Sequence, residues 1–296
     1  MRVLVIGCGY VGLPLAVELA KQGHQVFGLR RSAHADADLQ AAGITPLHAD
    51  ITKLETLVAL PERRFDWVVN CSATGGGGPE DYRQLYLEGS RNLLKWLSDS
   101  PPKKFVYTSS TGVYGQNDGS VVDESSTTNP DSETAGVLVE TEKLLLDEAR
   151  RSKFLAVILR VAGIYGPDRG YLLKQFLKGE ARIEGNGERV LNMIHRDDLI
   201  KVIIAALQNG TPGEIYNAVD DEPVRQRDFF TWLAATMKRE LPPSVSEINS
   251  PNRKRGTTNK RISNHKLKAE FGFQFQYPTF REGYQAELPR LRKQNL

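Results

Sequence analysis

Short apolar runs alternate with helical segments along the first two-thirds of this chain, and no other feature restricts its possible folds as much. We predict strands at 2–6, 25–29, 44–49, 66–71, 104–109 and 154–160, and helices at about 11–22, 34–42, 79–98 and around VETEK at 139–143. Strands that are almost continuously apolar are typical of parallel sheets covered by helices on both faces. The pattern therefore predicts an α/β fold built on a doubly wound parallel sheet.

A glycine-rich turn follows the first predicted strand and opens the first predicted helix. A GxGxxG pattern alone is weak, but this one stands at the first βα turn of a repeated βα pattern, which is the context the motif requires. Glycine lets the backbone approach a pyrophosphate, whose charge meets the N-terminus of the helix. We therefore predict a Rossmann-type domain that binds NAD(P) through Gly7, Cys8, Gly9, Tyr10, Val11 and Gly12.

The end of the second predicted strand bears on the choice of cofactor. NAD-selective sites carry Asp or Glu there, to bind the adenosine ribose. This strand ends instead in Arg30, Arg31 and Ser32, which suit the 2′-phosphate of NADP(H), although one of the two arginines can equally be a solvated residue at a strand end. We predict NADP, with NAD as the alternative. The residues expected near the adenine and ribose are Asp50 and Ile51 after the third strand, and Cys71, Ser72 and Ala73 after the fourth.

Composition limits the cellular setting. The 296 residues are 40% hydrophobic and 25% charged, which is ordinary for a globular protein. No apolar run approaches the roughly 20 residues that cross a bilayer, and the start lacks the features of a secretory signal. Cys8 and Cys71 do not make a disulfide framework, and we expect them to pack as small residues near the cofactor rather than to form a redox pair. These features predict a cytoplasmic protein without a membrane segment.

The pattern loosens after Gly166-Pro167, where Gly, Pro and Asn become frequent. Helices are expected at about 196–208 and 226–238, with a short strand, GEIYNAV, between them. We predict a Rossmann domain over 1–166 that also receives elements from about 193–220. A smaller, partly interleaved substrate lobe would span 167–296.

Five stretches together resemble the extended short-chain dehydrogenase/reductases, the NAD-dependent epimerase/dehydratase family. They are GCGYVG (7–12), YTSSTGVYG (107–115), LRVAGIYGP (159–167), MIHRDDLIKVIIAAL (193–207) and IYNAVDDEP (215–223). The NxIHRDD form at 192–198 and an ending like NKRISNHKLKAEFGFQFQYPTFREG are similar to an atypical branch of this family. The resemblance implies an oxidoreductase, epimerase or dehydratase whose substrate has a hydroxyl or carbonyl group, with nucleotide sugars as one class.

The resemblance also implies catalytic residues. Ser110, three residues before VYG, would contact the substrate oxygen. In the family a Tyr-x-x-x-Lys pair on one helix face transfers the proton, and the lysine also holds the nicotinamide ribose. Lys143 matches that lysine, but Val139 stands at the tyrosine position. A solvated lysine beside Glu140 and Glu142 is the alternative interpretation of Lys143.

Valine cannot carry a proton, so two hypotheses follow. In the first, the protein is an enzyme, and another phenol reaches the site from Tyr86, Tyr114 or Tyr165, each of which can equally be a core or rim aromatic. Tyr86 also replaces an asparagine that is usual in the family. In the second, the protein is a non-catalytic NADP(H)-binding sensor or regulatory protein.

Two charged segments could have either a structural or a functional role. His195-Arg196-Asp197-Asp198 precedes a predicted helix, and we expect Asp197 or Asp198 to cap it rather than to bind a metal. Residues 251–268 carry seven Lys or Arg and no acid. They would bind the diphosphate of a nucleotide sugar, or form a solvated loop. Nucleic acid is a weaker alternative, because no aromatic residue is present to stack bases. The resemblance further implies a possible homodimer formed through the helices at 79–98 and 133–152.

Overall fold

The computed structural model describes residues 1–33, 36–246 and 258–294. Seven parallel strands form its central sheet, in the order β12-β7-β5-β4-β1-β2-β3. The chain runs outwards from β1 to β3 on one side and from β4 to β12 on the other. The carboxyl ends of β1 and β4 therefore flank the point where the strand order reverses, which is where ligands bind in sheets of this kind. The predicted doubly wound α/β fold is confirmed.

The strands and helices have the following bounds. The strands are β1 Arg2–Ile6, β2 Gln25–Arg30, β3 Thr45–His48, β4 Trp67–Asn70, β5 Lys104–Ser110, β6 Val121–Val122, β7 Ala156–Val161, β8 Gly163–Tyr165, β9 Ile183–Glu184, β10 Val190–Leu191, β11 Met193–His195, β12 Ile215–Ala218, β13 Val224–Arg225, β14 Ser244–Val245 and β15 Arg261–Ile262. The helices are α1 Gly12–Lys21, α2 Asp36–Ala41, α3 Leu54–Val58, α4 Pro79–Tyr82, α5 Gly89–Leu97, α6 Glu133–Arg151, α7 Tyr171–Leu177, α8 Arg196–Asn209, α9 Gln226–Met237, α10 His265–Phe271 and α11 Phe280–Gln294. A π-helical turn, Arg83–Glu88, joins α4 to α5, and a 3-10 turn, Thr111–Val113, follows β5.

The sheet is buried on both faces because successive side chains of its apolar strands point to opposite sides. In β1, Val3 and Val5 pack with residues of α1 and α8, whereas Leu4 and Ile6 pack with residues of α5 and α6. These two apolar clusters fix the helices against the sheet. They hold the carboxyl ends of the strands at one edge, where the predicted site residues follow.

The chain after β7 contributes both to the sheet and to a separate core. β12 pairs with β7, with Ile215 opposite Ile158, and so becomes the seventh strand of the sheet. A third apolar cluster gathers Tyr165, Leu173, Phe176, Phe229, Phe230, Phe280 and Tyr284, among others. This cluster lies apart from the two that cover the sheet. The division into domains at 1–166 and 167–296 remains a prediction.

In the part of the chain that the structure describes, no helix has the length and apolar character needed to cross a membrane.

Candidate active site

In the glycine turn after β1, two glycines have no room for a side chain, whereas a third has open space beside it. Gly7 has φ +83°, and a Cβ there would lie 2.7 Å from the backbone of Ser72. A Cβ at Gly12 would lie 2.3 Å from the carbonyl oxygen of Gly7, so only glycine allows this close approach. By contrast, no heavy atom lies within 4 Å of the Cβ position at Gly9. The turn therefore leaves a cradle beside Gly9 that a side chain would fill.

The N-terminus of α1 opens onto this cradle. Val11, its N-cap residue, provides no side-chain cap, so the positive end of the helix is available to an anion. The guanidinium carbons of Arg169 and Arg196 lie 4.9 and 5.3 Å from the centre of the Tyr10 ring, which brings two positive charges next to the turn. The buried Tyr10 hydroxyl has no hydrogen-bond partner among the described residues. Burial raises the pKa of Tyr10 to about 12 despite the two arginines.

The two arginines after β2 have different surroundings. Arg30 donates a hydrogen bond from Nη2 to the carbonyl oxygen of Cys8, and thereby supports the glycine turn. Arg31 and Ser32 are exposed. The structure thus leaves Arg31 and Ser32 accessible at the strand end.

The predicted residues after β3 and β4 lie at the same edge of the sheet. Asp50 Oδ1 accepts hydrogen bonds from the backbone N–H of Thr52 at 3.0 Å and its hydroxyl at 2.8 Å. Ser72 donates from its N–H and its hydroxyl to Asn70 Oδ1, at 3.1 and 2.5 Å. Ile51 is buried and Ala73 is exposed. These contacts shape the two strand ends that flank the glycine turn.

Cys8 and Cys71 are both free thiols. Burial raises the pKa of Cys8 to about 11 and that of Cys71 to about 12, and the Cys8 thiol adds to the shift at Cys71. Thiols with such a high pKa are poor nucleophiles at neutral pH because little thiolate is present. The two residues therefore act as small packing residues beside the turn.

Ser110 is the last residue of β5 and lies beside Val161, the last residue of β7. Its Oγ accepts a hydrogen bond from the N–H of Gly112 at 3.1 Å, so it caps the 3-10 turn that follows. The hydroxyl hydrogen is not used in that bond and is free to be donated to a ligand. Ser110 is partly exposed at the same edge of the sheet as the glycine turn.

Helix α6 carries Val139 and Lys143 on neighbouring turns. Val139 is half-buried and packs against the apolar cluster that contains residues of α5. Lys143 is exposed, and its ammonium forms no ion pair with any residue that the structure describes. Among the described residues, Lys143 and Ser110 form no hydrogen bond with each other. The role of Lys143 at the ribose remains a prediction.

Glu142, not Lys143, is the charged residue of this region that faces the interior. Glu142 Oε2 accepts from Arg160 Nη2 at 2.8 Å, and Oε1 accepts from the Ser109 hydroxyl at 2.5 Å. Both charged side chains are buried, at 4% and 5% exposure. This pair was not predicted from the sequence. Its signal was an arginine inside the otherwise apolar strand AVILRV, since a buried charge of this kind requires a partner.

The three tyrosines considered as substitutes for the missing phenol are each engaged elsewhere. Tyr86 accepts from the N–H of Thr74 at 3.3 Å, and so holds the glycine-rich segment after β4. Tyr114 donates to Asn217 Oδ1 at 2.9 Å. Tyr165 donates to the carbonyl of Thr279 at 3.4 Å, and burial raises its pKa well above the ordinary value. Their contacts make them structural residues in this arrangement.

The family model for the NAD dependent epimerase/dehydratase family matches residues 3–218. The chain belongs to this family. The match spans the central sheet from β1 to β12 and includes the glycine turn and Ser110. The predicted resemblance is therefore confirmed.

Three relatives of this epimerase/dehydratase-family protein illustrate the likeness. YeeZ of Escherichia coli is 27% identical over 283 residues, which cover 94% of this chain and 96% of YeeZ. The solved structure of a candidate NAD-dependent epimerase/dehydratase from Methylobacillus flagellatus is 33% identical, with a TM-score of 0.79 and 98% of each chain covered. The UDP-glucuronic acid 4-epimerase of Bacillus cereus, in complex with UDP-glucuronic acid and NAD, is 21% identical, with a TM-score of 0.81 and 99% of each chain covered. At that identity the likeness shows the fold alone.

The residues of the turn fit the dinucleotide that the family name implies. The cradle at Gly9, the helix end at Val11 and the guanidinium groups of Arg169 and Arg196 suit a pyrophosphate by shape and charge. The unpartnered Tyr10 hydroxyl provides a further polar group at the same place.

The HRDD segment of this family member departs from the sequence prediction. His195 caps α8, because its Nδ1 accepts from the N–H of Asp197 at 3.2 Å. Asp198 instead accepts from the backbone N–H groups of Gln276 and Tyr277, at 2.9 and 2.8 Å. The prediction that Asp197 or Asp198 caps the helix was therefore wrong. Within the described ranges, no group of three or more His, Cys, Asp or Glu side chains is positioned to hold a metal ion.

The basic segment 251–268 is described only from residue 258, so its first part lies outside the described residues. In the described part, Arg261 donates to the carbonyl of Gly119, and Lys266 pairs with Glu214 at 2.5 Å. Lys268 pairs with Asp221 at 2.9 Å, and Lys260 is buried. These four cations make contacts within the protein itself or are buried.

Proposed function

We propose that this protein is an NAD(P)-dependent oxidoreductase or epimerase/dehydratase-like enzyme. Its substrate carries a hydroxyl or carbonyl group, and nucleotide sugars are the first class to test. The observation that carries the proposal is the position of Ser110 at the same sheet edge as the cradle beside Gly9. A dinucleotide bound at the cradle would extend along this edge, and a substrate held by Ser110 would meet it.

Each residue has a defined task in this proposal. The glycine turn and the N-terminus of α1 hold the pyrophosphate, and Arg30 keeps the turn in shape through Cys8. The Ser110 hydroxyl donates to the reacting oxygen of the substrate and fixes its orientation. A bound nicotinamide cofactor would supply or accept a hydride. Lys143 is the proposed ligand of its ribose, which the exposure of this lysine permits.

NADP(H) is the proposed cofactor, with NAD as the alternative. Arg31 and Ser32 are exposed after β2, and no acidic residue stands there to bind a ribose hydroxyl. A guanidinium group binds a phosphate through paired, charge-assisted hydrogen bonds. Arg31 is therefore the proposed ligand of the 2′-phosphate. A homodimer formed through α5 and α6 also remains a proposal.

The experiment follows NADPH oxidation by the protein across a panel of carbonyl compounds and nucleotide sugars. We expect turnover of at least one substrate, and Ser110→Ala to lower kcat/KM by about 10²-fold, the usual effect of removing one donor to the reacting oxygen. Ser98→Ala, which removes an exposed hydroxyl at the end of α5, is the control and keeps the wild-type rate. If the protein binds NADPH but oxidises it with no member of the panel, the enzymatic proposal fails in favour of an NADP(H)-binding sensor.

A further inference from the structure

Lys260 is a buried lysine immediately before β15, and it is only 3% exposed. Asn192 fixes the backbone that follows the Cα atom of Lys260. The Asn192 amide donates to the carbonyl of Lys260 at 2.9 Å, and its Oδ1 accepts from the N–H of Ile262 at 2.9 Å. β15 also pairs with β6. The position of this lysine is therefore set by the fold and not by a flexible surface loop.

The ammonium of Lys260 reaches the loop that begins at Ser110. Its Nζ donates to the carbonyl of Tyr114 at 2.6 Å, and Tyr114 is the residue that ends the 3-10 turn capped by Ser110. Three residues in a 3-10 conformation, which rise by about 2 Å each, separate Ser110 from Tyr114. The Lys260 ammonium therefore lies close along the chain to the turn that Ser110 caps.

The segment that leads into α6 packs against the loop that follows Tyr114. A Cβ at Gly115 would lie 1.8 Å from the carbonyl of Asn129, so the loop after Tyr114 presses against that segment. Asp131, two residues further on, acts electrostatically on Lys260 and favours its charged form. Lys260 therefore lies between the loop after β5 and the segment that leads into α6.

The Lys260 ammonium has few hydrogen-bond acceptors around it for a buried charge. An ammonium has three N–H donors, and the described residues provide one hydrogen-bond acceptor, the Tyr114 carbonyl. Two donors remain for a ligand. Burial outweighs Asp131 and lowers the pKa of Lys260 to about 8, which is near the pH at which a general acid works best. A purely structural residue at this position would avoid that cost with an apolar side chain.

We propose that Lys260 is the proton carrier of this site, giving a proton to the substrate oxygen in reduction and taking one from the substrate hydroxyl in oxidation. This inference rests on the proposed function. Reduction of a carbonyl adds a hydride to carbon, from a reduced nicotinamide, and a proton to oxygen. The N–H bond at Lys260 breaks as the O–H bond of the product forms, and the resulting amine regains its proton from water.

Two variants separate a proton carrier from a structural residue. Lys260→Met keeps most of the volume and removes the amine, whereas Lys260→Arg keeps a positive donor that does not titrate. We expect both to lower kcat by at least 10²-fold, with the NADPH Kd unchanged. Lys174→Met is the matched control, because Lys174 also donates to a backbone carbonyl, that of Asp168, but on the surface. We expect Lys174→Met to keep the wild-type kcat.

A direct titration provides a second readout that does not depend on turnover. NMR of protein labelled with ¹³C at the lysine Cε carbons follows every lysine, and the signal that disappears in Lys260→Met belongs to Lys260. Its midpoint should lie at about 8, against about 10.4 for an ordinary lysine. The wild-type rate of carbonyl reduction should fall above the same pH, since the ammonium is the acid.

The outcomes distinguish this inference from the proposed function. Loss of kcat in both variants together with a low titration midpoint supports the proton carrier. If the wild type turns over substrate and either variant keeps its kcat, or if Lys260 titrates near 10.4, the inference is overturned while the proposed function stands. A wild type that binds NADPH but reduces no substrate overturns the proposed function, and this inference with it.

Discussion

Glu142 and Arg160 show how a single residue position can mislead a sequence-based interpretation. Glu142 and Lys143 are adjacent on an amphipathic helix, and the sequence alone offers a solvated lysine as one interpretation of Lys143. A helix turns about 100° per residue, so adjacent side chains point in clearly different directions. The structure directs Glu142 inwards to Arg160 and Ser109, and Lys143 outwards. The sequence predicted the helix but not the pair, because Arg160 lies on another element.

Glu142→Gln should lower the free energy of unfolding by about 3 kcal/mol, because it leaves the Arg160 guanidinium buried without its counter-charge. The matched control is Glu140→Gln on the same helix. It breaks the pair with Arg83, whose side chains are 41% and 52% exposed, and should cost less than about 1 kcal/mol. Urea unfolding of the two variants measures both values. Equal, small losses would contradict the structural importance of the buried pair.

The strands of the central sheet and the helices that cover it could be predicted from the local pattern of apolar residues. The six predicted strands from 2–6 to 154–160 all join the sheet, because each is an apolar run bounded by turn residues. The cap of α8 could not be predicted in this way. Asp198 lies next to the helix start, but its carboxylate binds the backbone of Gln276 and Tyr277, far along the chain. Only the tertiary structure shows that His195 remains as the cap.

Because His195 caps α8 and is titratable, the free energy of unfolding should depend on pH. His195 is fully buried, and burial lowers its pKa from 6.5 to about 4. Below pH 6.5 the unfolded chain binds a proton that the folded protein resists, so stability is lost as the pH falls from 6.5 to about 4, by at most about 3 kcal/mol.

The measurement compares urea unfolding of the wild type and His195→Asn between pH 8 and 4. Asparagine can also cap a helix but does not titrate in this range. We expect the stability of the wild type relative to His195→Asn to be constant above pH 6.5 and to decrease below it. A difference that stays constant down to pH 4 would show that the histidine is not held neutral.

At the scale of the whole molecule, the C-terminal third is tied to the sheet by contacts distant in sequence. β12 becomes a strand of the sheet, β15 pairs with β6, and Lys260 reaches Tyr114 across 146 residues. No local pattern encodes such pairings, which is why the predicted basic segment did not reveal a buried lysine. The glycine turn could be placed from the sequence, since it follows a strand that pattern alone identifies, whereas Ser110 was implied by the family resemblance.

The central claim is that a nicotinamide dinucleotide binds at the glycine turn. Isothermal titration of NADPH and NADH into the wild type and Gly9→Ala tests it most directly. A methyl group at Gly9 contacts no protein atom within 4 Å, so the melting temperature should not change, but it fills the space left for the pyrophosphate. We predict that the wild type binds NADPH more tightly than NADH and that Gly9→Ala weakens NADPH binding at least tenfold. Absence of binding to the wild type, or an equal Kd in Gly9→Ala, would contradict this claim.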